Sequence, residues 1–447
     1  MLYEELFKKN KDKIISTLAE YIKFQSISSD PKYFDECVKC AKWLEGYFTN
    51  IGLKSKIIKT NGNPFVYAEY IKDPKLPTIL FYGHYDVQPA DPLELWDTDP
   101  FKLEIKDEVI YCRGAMDQKG QLIYCSAAIE DLIKDSELAV NIKILVEGEE
   151  ESGSSSLIEE LDNLKDLLKS DLLIIMDSSM LKKDTPTVTI GLRGIIGFDI
   201  KVTGANSDLH SGAFGGGISN PAFELSSLIS KMYDKDGFLD IKEINDLIIP
   251  ATKEELEYSK KLNPDKELFK SDYGVYPRED FLYRSAFLPT ISINGISSGY
   301  SGKGSKTIIP ATATAKCTIR TVAGMNNENT VEAIDSFINQ NSSKELKTEI
   351  IYHDMASFPI KFPIDSSVNK QMNKFCRSVF NKDIVYNWIG ASIPITGPLS
   401  EFANDTILSG FGLRTDNLHA PNEHFEIKRM MMGYCFIREI LKEYKVD

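Results

Sequence analysis

Apolar residues Leu6, Ile14, Ile15, Leu18 and Ile22 recur near helical spacing and predict an amphipathic helix over residues 3–24, with a second over 33–48. Short apolar runs follow at 65–70, 78–82, 142–146 and 172–176. The last three are nearly unbroken, the pattern of strands buried on both faces of a sheet with parallel strands. Helical stretches at 118–133 and 155–168 separate them, and such alternation predicts an α/β sheet covered by helices.

The middle of the chain reads differently. Strands are predicted over 187–204, where Gly191, Gly194 and Gly197 interrupt apolar residues, and again at 290–294, 313–320 and 347–352. A helix is predicted over 221–233, with Asn220 as cap and Pro221 in its first position, and another over 330–338 with Asn329 as cap. Helices at 366–380 and 428–444 then resemble the first part again. The expected organisation is an α+β unit, residues 187–355, inserted into one α/β domain formed by 1–186 and 356–447.

A length of 447 residues agrees with this, since it exceeds one typical core. The net charge of −14 argues against a nucleic-acid partner, which would require a basic stripe. No apolar run approaches membrane-spanning length, and the N-terminal residues lack the apolar stretch of a leader. Seven scattered cysteines, an odd number, fit reduced thiols and a cytoplasmic location. Cys37 and Cys40 have a redox or zinc spacing, but they sit in an amphipathic helical stretch without a second pair and are expected to pack.

Candidate chemistry gathers where the apolar runs end. His84-Tyr85-Asp86 lies just past the run 78–82, Glu150-Glu151 past 142–146, and Asp177 directly after 172–176. In open α/β sheets, sites form beyond the carboxyl ends of the strands. Adjacent carboxylates there are unfavourable unless cations or protons offset them, and a metal site is one economical explanation. Asp117 precedes a predicted helix and could equally be its cap. Of five histidines, His419 lies in a polar loop before the last helix and His210 precedes Gly215-Gly216-Gly217. That glycine run lacks the lysine and spacing of a phosphate-binding loop. His353 is expected at the surface and His424 in a structural role.

In order and spacing, from Gly83-His84-Tyr85-Asp86 to His419, the chain resembles the dinuclear zinc aminopeptidase-fold family. That family includes carnosinase, cytosolic non-specific dipeptidase, glutamate carboxypeptidase, acetylornithine deacetylase and succinyl-diaminopimelate desuccinylase. The segment from Ser301 to Pro310, followed by Thr318-Ile319-Arg320, is most similar to the dipeptidase branch. The resemblance implies a mixed sheet flanked by helices, with an inserted ferredoxin-like lid and dimerisation domain. It further implies two divalent ions, Zn²⁺ or alternatively Mn²⁺ or Co²⁺. His84 and Asp177 would hold one, Glu151 and His419 the other, and Asp117 would bridge them. Asp86 would orient His84, and Glu150 would serve as general base. His210 would stabilise the oxyanion and, in dimeric members, is lent by the partner subunit. Arg320 would hold the substrate carboxylate, with Ser392 in the same pocket.

Two features depart from that pattern. Glu149 stands where an apolar residue is expected and adds a third negative charge beside the metals, and Gly397-Pro398-Leu399-Ser400 is unlike the corresponding dipeptidase stretch. The expected activity is broad-specificity dipeptide or exopeptide hydrolysis by a homodimer. The alternatives are an N-acyl amino acid deacylase, such as a desuccinylase or deacetylase, and a non-catalytic binding protein. The last is disfavoured because Glu150 and every expected ligand are present.

Overall fold

A computed structural model of the chain describes residues 2–391 and 393–446. They form two compact units: Met1–Ile190, Phe362–Asn387 and Ile395–Asp447 make the larger, Gly191–Lys361 and Trp388–Pro394 the smaller. Relative to the division expected at 187 and 355, residues 187–190 remain with the larger unit, while 356–361 and 388–394 join the smaller. Ser392 lies outside the described residues.

The larger unit is built on a mixed sheet in the spatial order Lys54–Ile58, Phe65–Tyr70, Asn141–Glu147, Thr78–His84, Ser170–Ile175, Ala403–Ser409 and Thr187–Leu192. Its centre is parallel: Thr78–His84 pairs with Asn141–Glu147 on one side and Ser170–Ile175 on the other, and Ser170–Ile175 with Ala403–Ser409. These are the strands that the unbroken apolar runs predict. Ile79, Leu80, Phe81 and Tyr82 are all buried, as are Leu172 to Ile175, because helices cover the sheet.

Among those helices, Lys119–Lys134 packs against Ile427–Glu443. A glycine permits the close approach: a Cβ on Gly433 would stand 2.4 Å from Tyr124 Cζ. Cys37 and Cys40 are buried on the helix Phe34–Asn50, as expected for packing residues, and all seven cysteines are unpaired and buried.

The smaller unit carries a four-stranded antiparallel sheet in the order Thr290–Ser298, Thr312–Thr321, Gly194–Thr203, Lys347–Ser357. With the helices Pro221–Lys231 and Asn327–Asn341 between strands, this is the ferredoxin-like βαββαβ order. The period-two alternation of Ile196, Phe198, Ile200 and Val202 points one face inward, where Leu225, Leu228, Ile334 and Phe337 cover it. Asn220 caps Pro221–Lys231 as predicted. The other cap is corrected: Asn326, not Asn329, is the N-cap, and the two asparagines exchange side-chain-to-backbone hydrogen bonds of 2.8 Å. The sequence pattern finds Asn329 because it sits three residues inside the helix as the reciprocal member of the capping box.

Candidate active site

Three neighbouring parallel strands deliver ligand-type side chains at or just beyond their carboxyl ends. His84 is the last residue of its strand and pairs in register with Glu147. Beyond Glu147 the chain turns at Gly148, where a Cβ would meet the Tyr85 ring at 2.2 Å, and enters the short 3-10 turn Glu150–Ser152. Asp177 follows Ser170–Ile175 by two residues. Asp117 comes from the loop ahead of Lys119–Lys134, and its carboxylate does not cap that helix. His419 comes from the loop ahead of the last helix and adopts a left-handed backbone, φ 59°.

The side chains converge into two groups, His84 with Glu150 and Asp177, and Asp117 with Glu151 and His419; within each, one ligand-type atom per residue lies within 4.8 Å of the others. Asp117 links them. Its Oδ1 lies 3.2 Å from His84 Nε2 and its Oδ2 lies 3.0 Å from His419 Nε2. His419 Nε2 is 3.4 Å from Glu151 Oε2, and Gln88 Nε2 donates to that same oxygen at 2.8 Å.

Asp86 lies against the second ring nitrogen of His84, the one the sequence reading has it orient, through two groups. The hydrogen-bonding partner of His84 Nδ1 is the main-chain carbonyl of Asp86 at 3.0 Å, whereas its carboxylate is 3.4 Å away. That carboxylate accepts the N–H of Glu151 at 3.1 Å, so residue 86 steadies both the histidine and the glutamate turn. Glu149 has partners of its own: its buried carboxylate accepts the N–H groups of Asn63 (2.7 Å) and Ser156 (3.1 Å), tying a loop to the first turn of Ser155–Leu168.

The electrostatics of the two groups are unbalanced in a way cations would correct. Burial, then repulsion from Asp177, pushes Glu150 well above the carboxylate range. Burial and the nearby Asp117 likewise raise Glu151 and Asp177. Asp117 moves the other way: burial opposes its ionisation, but hydrogen bonds from His419 and His84 outweigh it. Those bonds in turn hold both imidazoles above their usual range, against burial at His84. Protons thus compensate for crowded carboxylates, and divalent ions would do so with the imidazoles neutral. Two nitrogen and four oxygen donors form a borderline set that suits Zn²⁺ and admits Mn²⁺ or Co²⁺.

The smaller unit contains two other expected residues. His210 is exposed, and its Nδ1 accepts the N–H of Gly212 at 3.0 Å, which leaves Nε2 as the proton-bearing donor. Arg320 lies on Thr312–Thr321, partly buried. Arg193, to which the sequence reading gives no role, is near enough to be destabilised by Arg320; burial and that repulsion lower it to about 10. Its fork is fixed by Gly390 O at 3.1 Å and Thr290 Oγ1 at 2.9 Å. His353 is exposed at the surface, 3.0 Å from Asp199, and His424 Nδ1 lies 3.0 Å from the carbonyl of Asn422. Gln88, Arg113 and Glu423 are further participants that sequence motifs do not reveal.

Fold and site together define a metal-dependent peptidase. The sequence profile of Peptidase family M20/M25/M40 matches residues 80–443, and the chain belongs to that family. It is 30% identical over 458 residues to the Cys-Gly metallodipeptidase dug1 of Schizosaccharomyces pombe, covering 97% of this chain and 95% of the relative. It is 29% identical over 441 residues to human Beta-Ala-His dipeptidase, covering 93% and 86%. Among solved structures, an M20 family metallo-carboxypeptidase from Sulfolobus solfataricus superposes with a TM-score of 0.82 at 31% identity, covering 96% of this chain and 98% of the other.

Proposed function

We propose that this chain hydrolyses dipeptides of broad sequence at a dinuclear centre. The observation that carries the reading is the Asp117 carboxylate, whose two oxygens each approach a different imidazole. With Asp117 shared, His84 and Asp177 complete one three-residue set, and Glu151 and His419 the other. Catalytic sites of this kind keep a position open, and three protein ligands per ion leave one. Two divalent ions there would polarise the scissile carbonyl and lower the pKa of a water.

Glu150 is then not needed as a ligand and serves as the proton carrier. It takes a proton from the attacking water and gives it to the departing amine nitrogen. Its place beside Asp177 and His84, in the same group of side chains, supports this role by putting a carboxylate next to the ions. Gln88 holds Glu151 in place, and the Asp86 carbonyl orients His84. His210 supplies an Nε2–H to the developing oxyanion, and Arg320 receives the substrate carboxylate. Similarity to a Cys-Gly and a Beta-Ala-His dipeptidase favours dipeptides over acyl amino acids. The likeness to a metallo-carboxypeptidase fits the same chemistry, cleavage of an amide beside a free carboxylate. Mass-spectrometric profiling of a panel of dipeptides and acyl amino acids tests the choice: release of free amino acids from the dipeptides is expected, and turnover confined to acyl amino acids contradicts it.

The smaller unit acts as lid and dimerisation domain in this reading. Its edge strand Thr290–Ser298 has one unpaired side among the described residues, with Ile296 exposed. A homodimer is expected in sedimentation, and a fully active monomer would rule out catalysis by a partner's histidine. Among the described residues no helix is long and apolar enough to cross a membrane. Seven unpaired cysteines support a reducing, cytoplasmic setting.

A further inference from the structure

Three separate stretches of chain supply or support the group Asp117, Glu151 and His419: the loop of Asp117, the loop of His419, and the segment whose Gln88 holds Glu151. One buried ion pair touches all three. Arg113 donates from Nη1 to Glu423 Oε2 at 2.8 Å, and from Nη2 to the carbonyls of Pro89 at 3.1 Å and Ala420 at 3.4 Å. Glu423 Oε2 also accepts the N–H of Gly114 at 2.8 Å, while its Oε1 accepts those of Met116 at 3.0 Å and Asp117 at 3.1 Å. Neither side chain is more than 1% exposed.

We propose that the Arg113–Glu423 pair positions Asp117 and His419 relative to each other, and so bears most on the affinity of the ion that takes both as ligands. The proposal rests on the two-ion reading above. Two observations support it. Asn417, His419 and Asn422 all have left-handed backbones, φ 57°, 59° and 62°, a conformation uncommon outside glycine, and three in six residues give this loop a specific shape to be held. Arg113 grips this loop at Ala420, and Glu423 closes it onto the backbone of Asp117 itself. The hydrogen bonds of the pair reach no residue of the segments carrying Glu150 and Asp177. Its influence is therefore unequal: the ion at Asp117, Glu151 and His419 depends on the pair through two of its ligands, whereas the ion at His84 and Asp177 depends on it only through the shared Asp117.

The chemistry also requires a carboxylate at 423. Each oxygen faces two donors, Arg113 and Gly114 at one, Met116 and Asp117 at the other. A glutamine amide, whichever way it is turned, would point its NH₂ at two N–H groups and leave a buried guanidinium without a countercharge. Lysine at 113 keeps the charge but loses the planar fork that serves three acceptors.

Titration of metal-free wild type, E423Q and R113K with Zn²⁺, followed by calorimetry and native mass spectrometry, tests the proposal. Wild type is expected to take up two ions per chain. In the variants the ion held by Glu151 and His419 binds about 10–100-fold more weakly, the range for residues that orient metal ligands, and the other, which shares only Asp117, is weakened less. Their kcat falls at limiting Zn²⁺ and recovers in excess Zn²⁺, with KM unchanged, which a collapse of the fold would not allow. Two ions bound at wild-type affinity, or both weakened equally, would overturn the proposal. A wild type that binds fewer than two would overturn the two-ion reading and this proposal with it. Should E423Q fail to fold, R113K decides on the same criterion.

Discussion

The Glu150–Ser152 turn and the Glu423 loop both place acids out of water, on opposite terms. Glu423 has a guanidinium and three backbone N–H groups arranged around its two oxygens. The Glu150 carboxylate receives no hydrogen bond from any described residue and, buried, faces Asp177, Glu151 and Asp117 with only His84 to offset them. A buried carboxylate with every partner supplied is part of the framework. One surrounded by like charge is stable only if protons or cations are bound, and such groups mark functional sites. The run Glu149-Glu150-Glu151 contains both kinds side by side: Glu149 is tied to Asn63 and Ser156, while its two neighbours face the cluster.

The comparison is most sharply tested at Glu150. E150Q keeps the shape of the side chain and removes its proton affinity, so kcat is expected to fall by about 10²–10⁴-fold, the usual contribution of a general base. A steady-state assay on a dipeptide measures it, and a rate near wild type would remove Glu150 from proton transfer. The framework side predicts a different failure for E149A. Two buried N–H groups would lose their acceptor, and stability is expected to drop by about 1–3 kcal/mol in denaturant unfolding. No change would show that Glu149 is not part of the framework.

A smaller effect is expected behind the site. Glu147 accepts hydrogen bonds from Tyr82 at 2.6 Å and Ser154 at 2.9 Å through one oxygen only. Burial raises its carboxyl to about 8. A folded-state pKa above the ordinary value means that the contribution of Glu147 to stability is complete at acidic pH and is lost as pH rises through about 8. In metal-chelated protein, the melting temperature of wild type relative to E147Q is therefore expected to decline between pH 5 and pH 8. A difference that stays constant would place an ionised Glu147 in the folded protein at both ends of that range.

Much of this was legible in the sequence for a simple reason. Strands buried on both faces admit few polar residues, so a ligand-type residue just after an apolar run stands out, as His84, Glu150, Glu151 and Asp177 do. Asp117 and His419 could be placed only by resemblance, since loops carry no such period. What the sequence hid depends on backbone groups. Glu423 and Glu149 bind main-chain N–H donors, and neither contact has a residue-type signature. Arg193 was hidden too, because its proximity to Arg320 arises from the pairing of strands distant in sequence. Asn326 and Asn329 show a milder case, in which two equivalent asparagines exchange hydrogen bonds and only geometry tells which one begins the helix.

The central claim is that the crowded acids at the sheet's carboxyl end hold two divalent ions, with Glu150 beside them rather than bound to them. Native mass spectrometry of wild type and E150Q, each reconstituted with Zn²⁺, tests it most directly. Two ions per chain in both proteins is the predicted result. Fewer than two in wild type, or the loss of an ion in E150Q, would contradict it.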